Sequence, residues 1–219
     1  MIEKMDLFAT INNICRREDG RYLISLTVGD GERSEKIEFV ILGELFCEIE
    51  PSLEGNALDE DAVALLDKYA DITAAFSSAC SSLAFTPCSA KALLRKLRTK
   101  GFSKDASEAA IELCIERGYI DESSLALRRA EIMVAKLWGR LRIFSKLREE
   151  GFDDSAIQEA AVYLDEIDFA DSCMRVIEKK YAPVPDERRE KEKMYAALVR
   201  LGYSSSDIKE AIKRLKNDL

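Results

Sequence analysis

Leu147-Arg148-Glu149-Glu150-Gly151-Phe152 decides the fold, because the chain contains this arrangement three times. Each copy places a leucine four residues before a glycine–aromatic pair, in Gly101-Phe102, Gly151-Phe152 and Gly202-Tyr203. The glycines are spaced by 50 and 51 residues. This pattern is typical of a helix end, with the glycine in the left-handed conformation just beyond the last turn. Polar residues able to cap another helix follow each pair. The sequence therefore predicts a repeat of helix, glycine–aromatic turn and helix.

Composition indicates a soluble globular protein. The chain has 219 residues, of which 47% are apolar and 34% charged. No apolar run approaches the length of a membrane-spanning helix, and the N-terminus has no signal-peptide pattern. The six cysteines form no C-x-x-C pair, which is typical of reduced thiols inside the cell. We therefore expect a cytoplasmic protein without membrane contact.

The chain contains no histidine, and this excludes several classes of enzyme. Serine or cysteine catalysis with a histidine base, and zinc sites that need histidine, cannot be built. The sequence also has neither a P-loop nor a G-x-G-x-x-G motif for nucleotide phosphates. Carboxylate pairs remain available for acid–base chemistry, but among 41 acidic residues most are expected on solvated helix faces. We predict no catalytic residues, no metal site and no cofactor.

Apolar and polar residues alternate in the N-terminal region, as they do in half-buried β-strands. Strands are predicted over 7–15, over 22–28 and around Ile37 to Ile41, with a turn at Gly29-Asp30-Gly31 between the last two. These strands form a small antiparallel β meander. The segment Phe39 to Leu42 is apolar on both faces, which indicates burial against the first long helix or, alternatively, a sheet edge that contacts a partner. Residues 43–56 are ambiguous.

Helical periodicity begins after Asp59, a good N-cap, and continues to the C-terminus. Each repeat is predicted to contain three helices, one long and then two short ones joined by the glycine–aromatic turn. Repeats of this kind stack on their neighbours to bury their apolar faces, which predicts a mainly α fold in an elongated, curved array. The predicted divisions are a β-rich region 1–56 and helical repeats 57–119, 120–167 and 168–219.

Several segments of the helical region resemble the RecX family. They are the stretch from Ser89 to Phe102, then Gly118 to Glu122, Gly139 to Ile143 with Lys146-Leu147 and Gly151-Phe152, and Leu201 to Tyr203 with Asp207 to Ala211. The resemblance covers residues 59–219. It implies three tandem three-helix repeats and a regulatory protein that binds RecA recombinase and its filament on DNA. It also implies modulation, which we expect to be inhibition, of ATP hydrolysis, strand exchange and co-protease activity. Leu125 departs from the family, where an aromatic residue is common.

Charge is distributed unevenly along the chain. The net charge is −8 overall, but residues 1–85 carry −10 and residues 88–148 carry +7. A basic stripe of this kind can bind phosphates or an acidic protein groove. Most charge runs are solvated helix faces, and Arg128-Arg129 alone is typical of one. For the whole cluster we predict a partner or DNA-binding surface, made of Lys91, Arg95, Arg98, Arg128, Arg129, Arg140, Arg142, Lys146 and Arg148.

Three aromatic residues near this cluster are predicted to lie in the core, namely Trp138, Tyr119 and Phe152. Two other functions stay open. Three-helix units with a tight turn are similar to helix-turn-helix modules, so the chain could bind single- or double-stranded DNA directly, weakly and in a salt-dependent way. It could also be a helical-repeat scaffold for an unrelated partner. We expect a monomer.

Overall fold

The computed structural model describes residues 8–29, 34–53, 55, 57–182 and 184–217. The N-terminal region contains a four-stranded antiparallel sheet in the order β3-β2-β1-β4. Its strands are β1 (Phe8–Arg16), β2 (Tyr22–Gly29), β3 (Ser34–Ile41) and β4 (Ala57–Leu58). The predicted meander lacked β4, which is only two residues long. The predicted turn at Gly29-Asp30-Gly31 extends outside the described residues.

The ambiguous segment after β3 begins with helix α1 (Gly43–Ile49), followed by a 3-10 turn over Glu50–Leu53. The next helix, α2 (Glu60–Phe85), begins after Asp59, whose carboxylate accepts a hydrogen bond from Ala62 N as predicted for an N-cap. The sheet packs against α2, and the buried hydroxyl of Thr73 accepts a hydrogen bond from Leu42 N at 3.0 Å. This contact confirms the predicted burial of the end of β3 against the first long helix.

Eight further helices follow in the described part of the chain, close to the predicted positions. They are α3 (Ala90–Thr99), α4 (Lys104–Glu116), α5 (Glu122–Ala135), α6 (Arg140–Glu150), α7 (Asp154–Asp165), α8 (Phe169–Tyr181), α9 (Arg188–Arg200) and α10 (Ser205–Asn217). The break before α9 was predicted at Pro183-Val184-Pro185, of which Pro183 lies outside the described residues. Within each repeat the first helix packs against the third, as α2 on α4, α5 on α7 and α8 on α10.

The three glycine–aromatic turns have the predicted conformation. Gly101, Gly151 and Gly202 have φ values of +98°, +87° and +93°, in the left-handed region that favours glycine. The aromatic N–H of each turn bonds back to the carbonyl of the leucine at 3.2 or 3.3 Å, which satisfies a free end of the helix. The predicted mainly α repeat fold with an N-terminal antiparallel sheet is therefore confirmed.

Two details of the prediction are wrong. The first helix of a repeat is long only in repeat 1, where α2 has 26 residues, whereas α5 and α8 have 14 and 13. Tyr119 is not in the core, because 53% of it is exposed and its ring stacks beside Phe76 with the centroids 6.2 Å apart. Phe152 is buried, as predicted.

The chain forms two compact units. One comprises Met1–Thr86 and Leu93–Tyr119, and the other comprises Pro87–Ala92 and Ile120–Leu219. The core of the second unit is built from α5 to α10 and contains Ile143, Leu147 and Leu198. The predicted division into a β-rich region and three repeats stays a prediction.

Candidate binding surface on the helical repeats

Helix α6 carries four of the nine cations predicted to bind a partner. Its core face consists of Ile143 and Leu147, which are four residues apart and fully buried. Its solvent face carries the charged residues and Leu141, of which 60% is exposed. The N-cap of α6 is Gly139, whose backbone is extended and which has no side chain to accept a capping hydrogen bond. The first N–H groups of α6 must therefore find partners elsewhere.

Those partners belong to the glycine–aromatic turn of the following repeat. Gly139 N donates to Leu201 O at 2.8 Å, and Leu141 N donates to Gly202 O at 3.0 Å. The approach is so close that a methyl group added to Gly139 would lie 2.2 Å from the carbonyl carbon of Gly202. The hydroxyl of buried Tyr203 completes the contact by donating to Leu137 O at 2.8 Å. The free donors at the start of α6 and the free carbonyls at the end of α9 thus satisfy one another.

The start of α3 also docks on a glycine–aromatic turn, the one at Gly151, but through a side-chain hydroxyl. Ser89 Oγ donates to Glu150 O at 2.7 Å, and a methyl group added to Gly151 would lie 3.1 Å from Lys91 Cβ. Glu122 strengthens this junction, since its two carboxylate oxygens accept hydrogen bonds from Ala90 N at 2.6 Å and Asp153 N at 3.0 Å. We call a glycine–aromatic turn that receives a helix start an acceptor turn. Gly151-Phe152 and Gly202-Tyr203 are acceptor turns within the second unit.

The arginines of α6 lie on aromatic rings. The guanidinium of Arg142 is 3.8 Å from the centroid of Trp138, and those of Arg140 and Arg148 are 5.2 Å and 5.9 Å from the centroid of Phe144. Trp138 is half-buried: it packs against the core of the second unit, as predicted, and its ring also carries the Arg142 guanidinium. A ring holds a guanidinium in place without cancelling its charge. Phe144 is a functional candidate that the sequence analysis missed, although its spacing of four residues from both arginines was visible.

Protein carboxylates and carbonyls engage several of the other predicted cations. Arg140 also pairs with Asp165, and Lys146 Nζ lies 2.9 Å from Glu149 Oε1. Arg129 is half-buried with its Nε 3.6 Å from Glu150 Oε2, so it contributes to the packing of the repeat. These contacts reduce the positive charge available to a partner at each position.

The remaining predicted cations are more accessible. Arg98 donates to Phe102 O at 2.6 Å, which ties it to the first glycine–aromatic turn. Lys91, Arg95 and Arg128 are exposed and form no ion pair with a described residue. Arg95 and Arg98 belong to the first unit, and the other seven predicted residues belong to the second. The assignment of these nine residues to a binding surface stays a prediction.

Burial raises the pKa of two thiols and of one phenol. Burial raises the pKa of Cys114 to about 12, with a further contribution from Cys80, and burial raises the pKa of Cys173 to about 12. Burial also raises the pKa of Tyr203, whose hydroxyl serves as a donor. Within the described ranges no group of three or more Cys, Asp or Glu residues could hold a metal ion, and no helix there is long and apolar enough to cross a membrane.

The fold defines a helical-repeat protein with a small N-terminal antiparallel sheet. Residues 166–212 match the model of the third three-helix domain of RecX. Regulatory protein RecX of Pelodictyon phaeoclathratiforme is 31% identical over 126 residues, which are 56% of this chain and 77% of that protein. The chain belongs to the RecX family.

Other relatives agree with this assignment. Regulatory protein RecX of Legionella pneumophila strain Corby is 26% identical over 67% of this chain and 97% of that protein. The RecX of Lactobacillus johnsonii is 30% identical, but the match spans only 46% of that longer protein. A crystal structure of regulatory protein RecX has the same fold, with a TM-score of 0.70 at 22% identity over 92% of this chain and 99% of that one. RecX from Lactobacillus salivarius has a TM-score of 0.59 at 21% identity and covers 67% of this chain and 97% of that one.

Proposed function

We propose that this chain binds a RecA-type recombinase filament on DNA and restrains its ATP hydrolysis, strand exchange and co-protease activity. Membership of a family of regulatory proteins supports the regulatory part of the proposal. The observation that carries the binding part is the solvent face of α6, where Arg142 and Arg148 lie on aromatic rings. We place this activity in the cytoplasm.

In this proposal the chain inhibits the recombinase filament by binding it and catalyses no reaction itself. Helical repeats present several surfaces at fixed spacing, and weak contacts made together bind more tightly than each does alone. A chain that occupies the filament would block strand entry and limit the movement needed for nucleotide turnover. The acidic N-terminal region, with a net charge of −10 over residues 1–85, would be repelled by DNA.

Arg142 and Arg148 suit an acidic or phosphate partner for a physical reason. A stacked guanidinium has already lost much of its side-chain freedom, so binding orders it at a smaller entropic cost. Its N–H groups remain free to donate to carboxylate or phosphate oxygens. The acceptor turn also holds the base of the Arg142 side chain in place, because the Cβ and backbone N of Arg142 pack against Gly202.

Co-sedimentation with recombinase–single-strand filaments, compared with single-stranded DNA alone, tests the proposal. The double variant Arg142→Glu/Arg148→Glu should lose filament binding and inhibition of ATPase. The matched control is Arg188→Glu/Arg189→Glu, which makes the same change in charge at exposed positions at the start of α9. Wild-type protein that leaves ATPase and strand exchange unchanged at stoichiometric excess would refute the function.

Direct DNA binding is the second candidate, and the aromatic rings beneath the α6 arginines favour it, because single strands bind through cations and stacking. Under this alternative the protein would bind single-stranded oligonucleotide without recombinase, and the affinity would fall steeply with salt. A fluorescence anisotropy titration at two salt concentrations separates the two candidates. Unchanged binding by the Arg142→Glu/Arg148→Glu variant in both assays would leave these arginines with a role in solubility alone.

A further inference from the structure

The first unit contains an open groove along α2 and the start of α4. Its volume is about 560 Å³, and its wall includes the exposed Ala74 of α2 and Ser103, the N-cap of α4. Asp71 lines the groove and accepts a hydrogen bond from the Ser103 hydroxyl at 2.9 Å. The groove begins two residues beyond Gly101, the glycine of the first glycine–aromatic turn.

At five of its nine lining positions, this groove corresponds to a pocket at the place where α6 docks in the second unit. That pocket is lined by the starts of α8 and α10, and its other wall consists of Arg140 and Leu141 at the start of α6. Gly202 follows Gly101 by 101 residues. At the same spacing, Asp67, Lys68, Ser103, Asp105 and Ala106 of the groove correspond to Asp168, Phe169, Ser204, Ser206 and Asp207 of the pocket.

In the second unit a helix start is docked on the glycine–aromatic turn beside the pocket, whereas none is docked on the turn beside the groove in the described residues. A methyl group added to Gly202 would lie 2.4 Å from Arg142 Cβ, and one added to Gly151 would lie 3.1 Å from Lys91 Cβ. At Gly101 no described atom lies within 4 Å of such a methyl group, and the glycine is exposed. Gly101-Phe102 therefore has the conformation of an acceptor turn, with no helix start docked on it in the described part of the chain.

We propose that this groove receives the first turn of an α-helix from a partner protein, with a small N-cap residue and Lys or Arg in that turn. The two helix starts docked within this chain define these requirements. Their residues at the junction are small, Ser89 and Gly139, and basic residues follow within three positions in both.

Charge complementarity supports a basic helix start. The groove is lined by Asp67, Asp71 and Asp105 against the single cation Lys68. The N-terminus of a helix carries a partial positive charge and unsatisfied N–H groups, which adds to the attraction of its basic side chains. The carbonyls at the end of α3 offer acceptors for those N–H groups, as the carbonyls of Leu201 and Gly202 do for α6.

The start of α9 in a second copy of this chain does not fit these requirements. The corresponding helix of repeat 3, α9, begins 14 residues before its glycine, whereas α3 and α6 begin 11 residues before theirs. Glu190 therefore occupies the position of Gly139, where even a methyl group would lie 2.2 Å from the acceptor turn. The groove can receive such a helix whether or not the chain binds a recombinase.

A peptide titration tests the groove. The probe is a helix-stabilised, amidated peptide with this chain's own residues 88–98, and the readout is the NMR shift of the Gly101 and Ser103 amides in the labelled full chain. We expect saturable shifts with half-saturation near or below about 1 mM, the range of one docked helix turn. The variant Asp67→Lys/Asp105→Lys reverses the charge of two exposed carboxylates of the groove and should weaken binding at least tenfold. The matched control Glu112→Lys/Glu116→Lys makes the same change at exposed positions of α4 outside the groove lining and should not weaken binding.

Two further measurements complete the test. A probe with leucine in place of Ser89 should bind at least tenfold more weakly, because the bulky side chain obstructs the close approach. Sedimentation equilibrium of the wild type alone should show no self-association that Asp67→Lys/Asp105→Lys removes. The proposal is overturned by an absence of shifts at 1 mM probe, by equal binding to Asp67→Lys/Asp105→Lys and wild type, by equal binding of the leucine probe, or by self-association through the groove.

Discussion

Replacing Gly139 with alanine gives the most direct test of how the repeats are joined. Gly139 has φ of −77°, a value that alanine adopts freely, so the substitution adds no backbone strain of its own. The whole cost comes from the new methyl group, which would lie 2.2 to 2.3 Å from backbone atoms of Gly202 and Tyr203. Backbone cannot move aside as a flexible side chain can, so the start of α6 must separate from the acceptor turn.

Separation breaks the hydrogen bonds from Gly139 N and Leu141 N, each of which contributes about 1 kcal/mol net. Overpacking of a tight contact adds about 1–3 kcal/mol. We expect Gly139→Ala to lower the free energy of unfolding by about 3–5 kcal/mol in all. For a chain of this size, that corresponds to a fall in melting temperature of roughly 6–20 °C.

The matched control is Gly101→Ala. It introduces alanine at φ of +98° in open space, so it should cost only the left-handed strain of about 1–2 kcal/mol. Urea unfolding should be followed by circular dichroism and by Trp138, the only tryptophan, which lies in the second unit. A Gly139→Ala protein as stable as wild type, or more stable than Gly101→Ala, would show that docking at the acceptor turn is unimportant.

Three more outcomes are expected. Glu122→Ala should destabilise the protein by about 1–3 kcal/mol in urea unfolding, because two backbone N–H groups lose their acceptor, and Glu122→Gln should cost less. The Arg214 guanidinium lowers the pKa of Asp168, so the stability from this pair is present above about pH 4 and lost as the pH falls through the lowered pKa. Asp168→Asn should therefore reduce stability at pH 7 and flatten its decline in acid, as measured by melting temperature against pH. In native protein at pH 8, iodoacetamide should modify exposed Cys47 and leave Cys173, whose pKa is raised to about 12, unmodified by peptide mass spectrometry.

The helices were predictable because their ends are marked locally. Asp59 accepts the capping hydrogen bond that its position predicted, and the three turn glycines adopt positive φ. These signals depend on neighbours within a few residues, so a single sequence contains them. Strand β4 gave no such signal, because two residues cannot show an alternating pattern.

The contacts between repeats were not predictable in the same way. Leu201 O accepts from Gly139 N across 62 positions of the chain, and nothing local to either residue indicates the other. Sequence analysis identified the α6 cations by charge, but it could not show that Arg129 is half-buried beside Glu150 or that Arg142 lies on Trp138. Such assignments depend on tertiary neighbours.

The glycine of an acceptor turn combines two physical requirements, and only one was visible in the sequence. Positive φ ends the helix, and the absence of a Cβ lets another helix start reach the turn. Gly139, on the docking helix, shows the second requirement by itself. Its φ of −77° is one that any residue adopts, and only the close approach of the Gly202 backbone requires a glycine there. Because Arg142 Cβ lies against Gly202, the same contact fixes where the α6 cations emerge. The turn and the candidate binding surface are therefore physically coupled, and a substitution at Gly202 should disturb both.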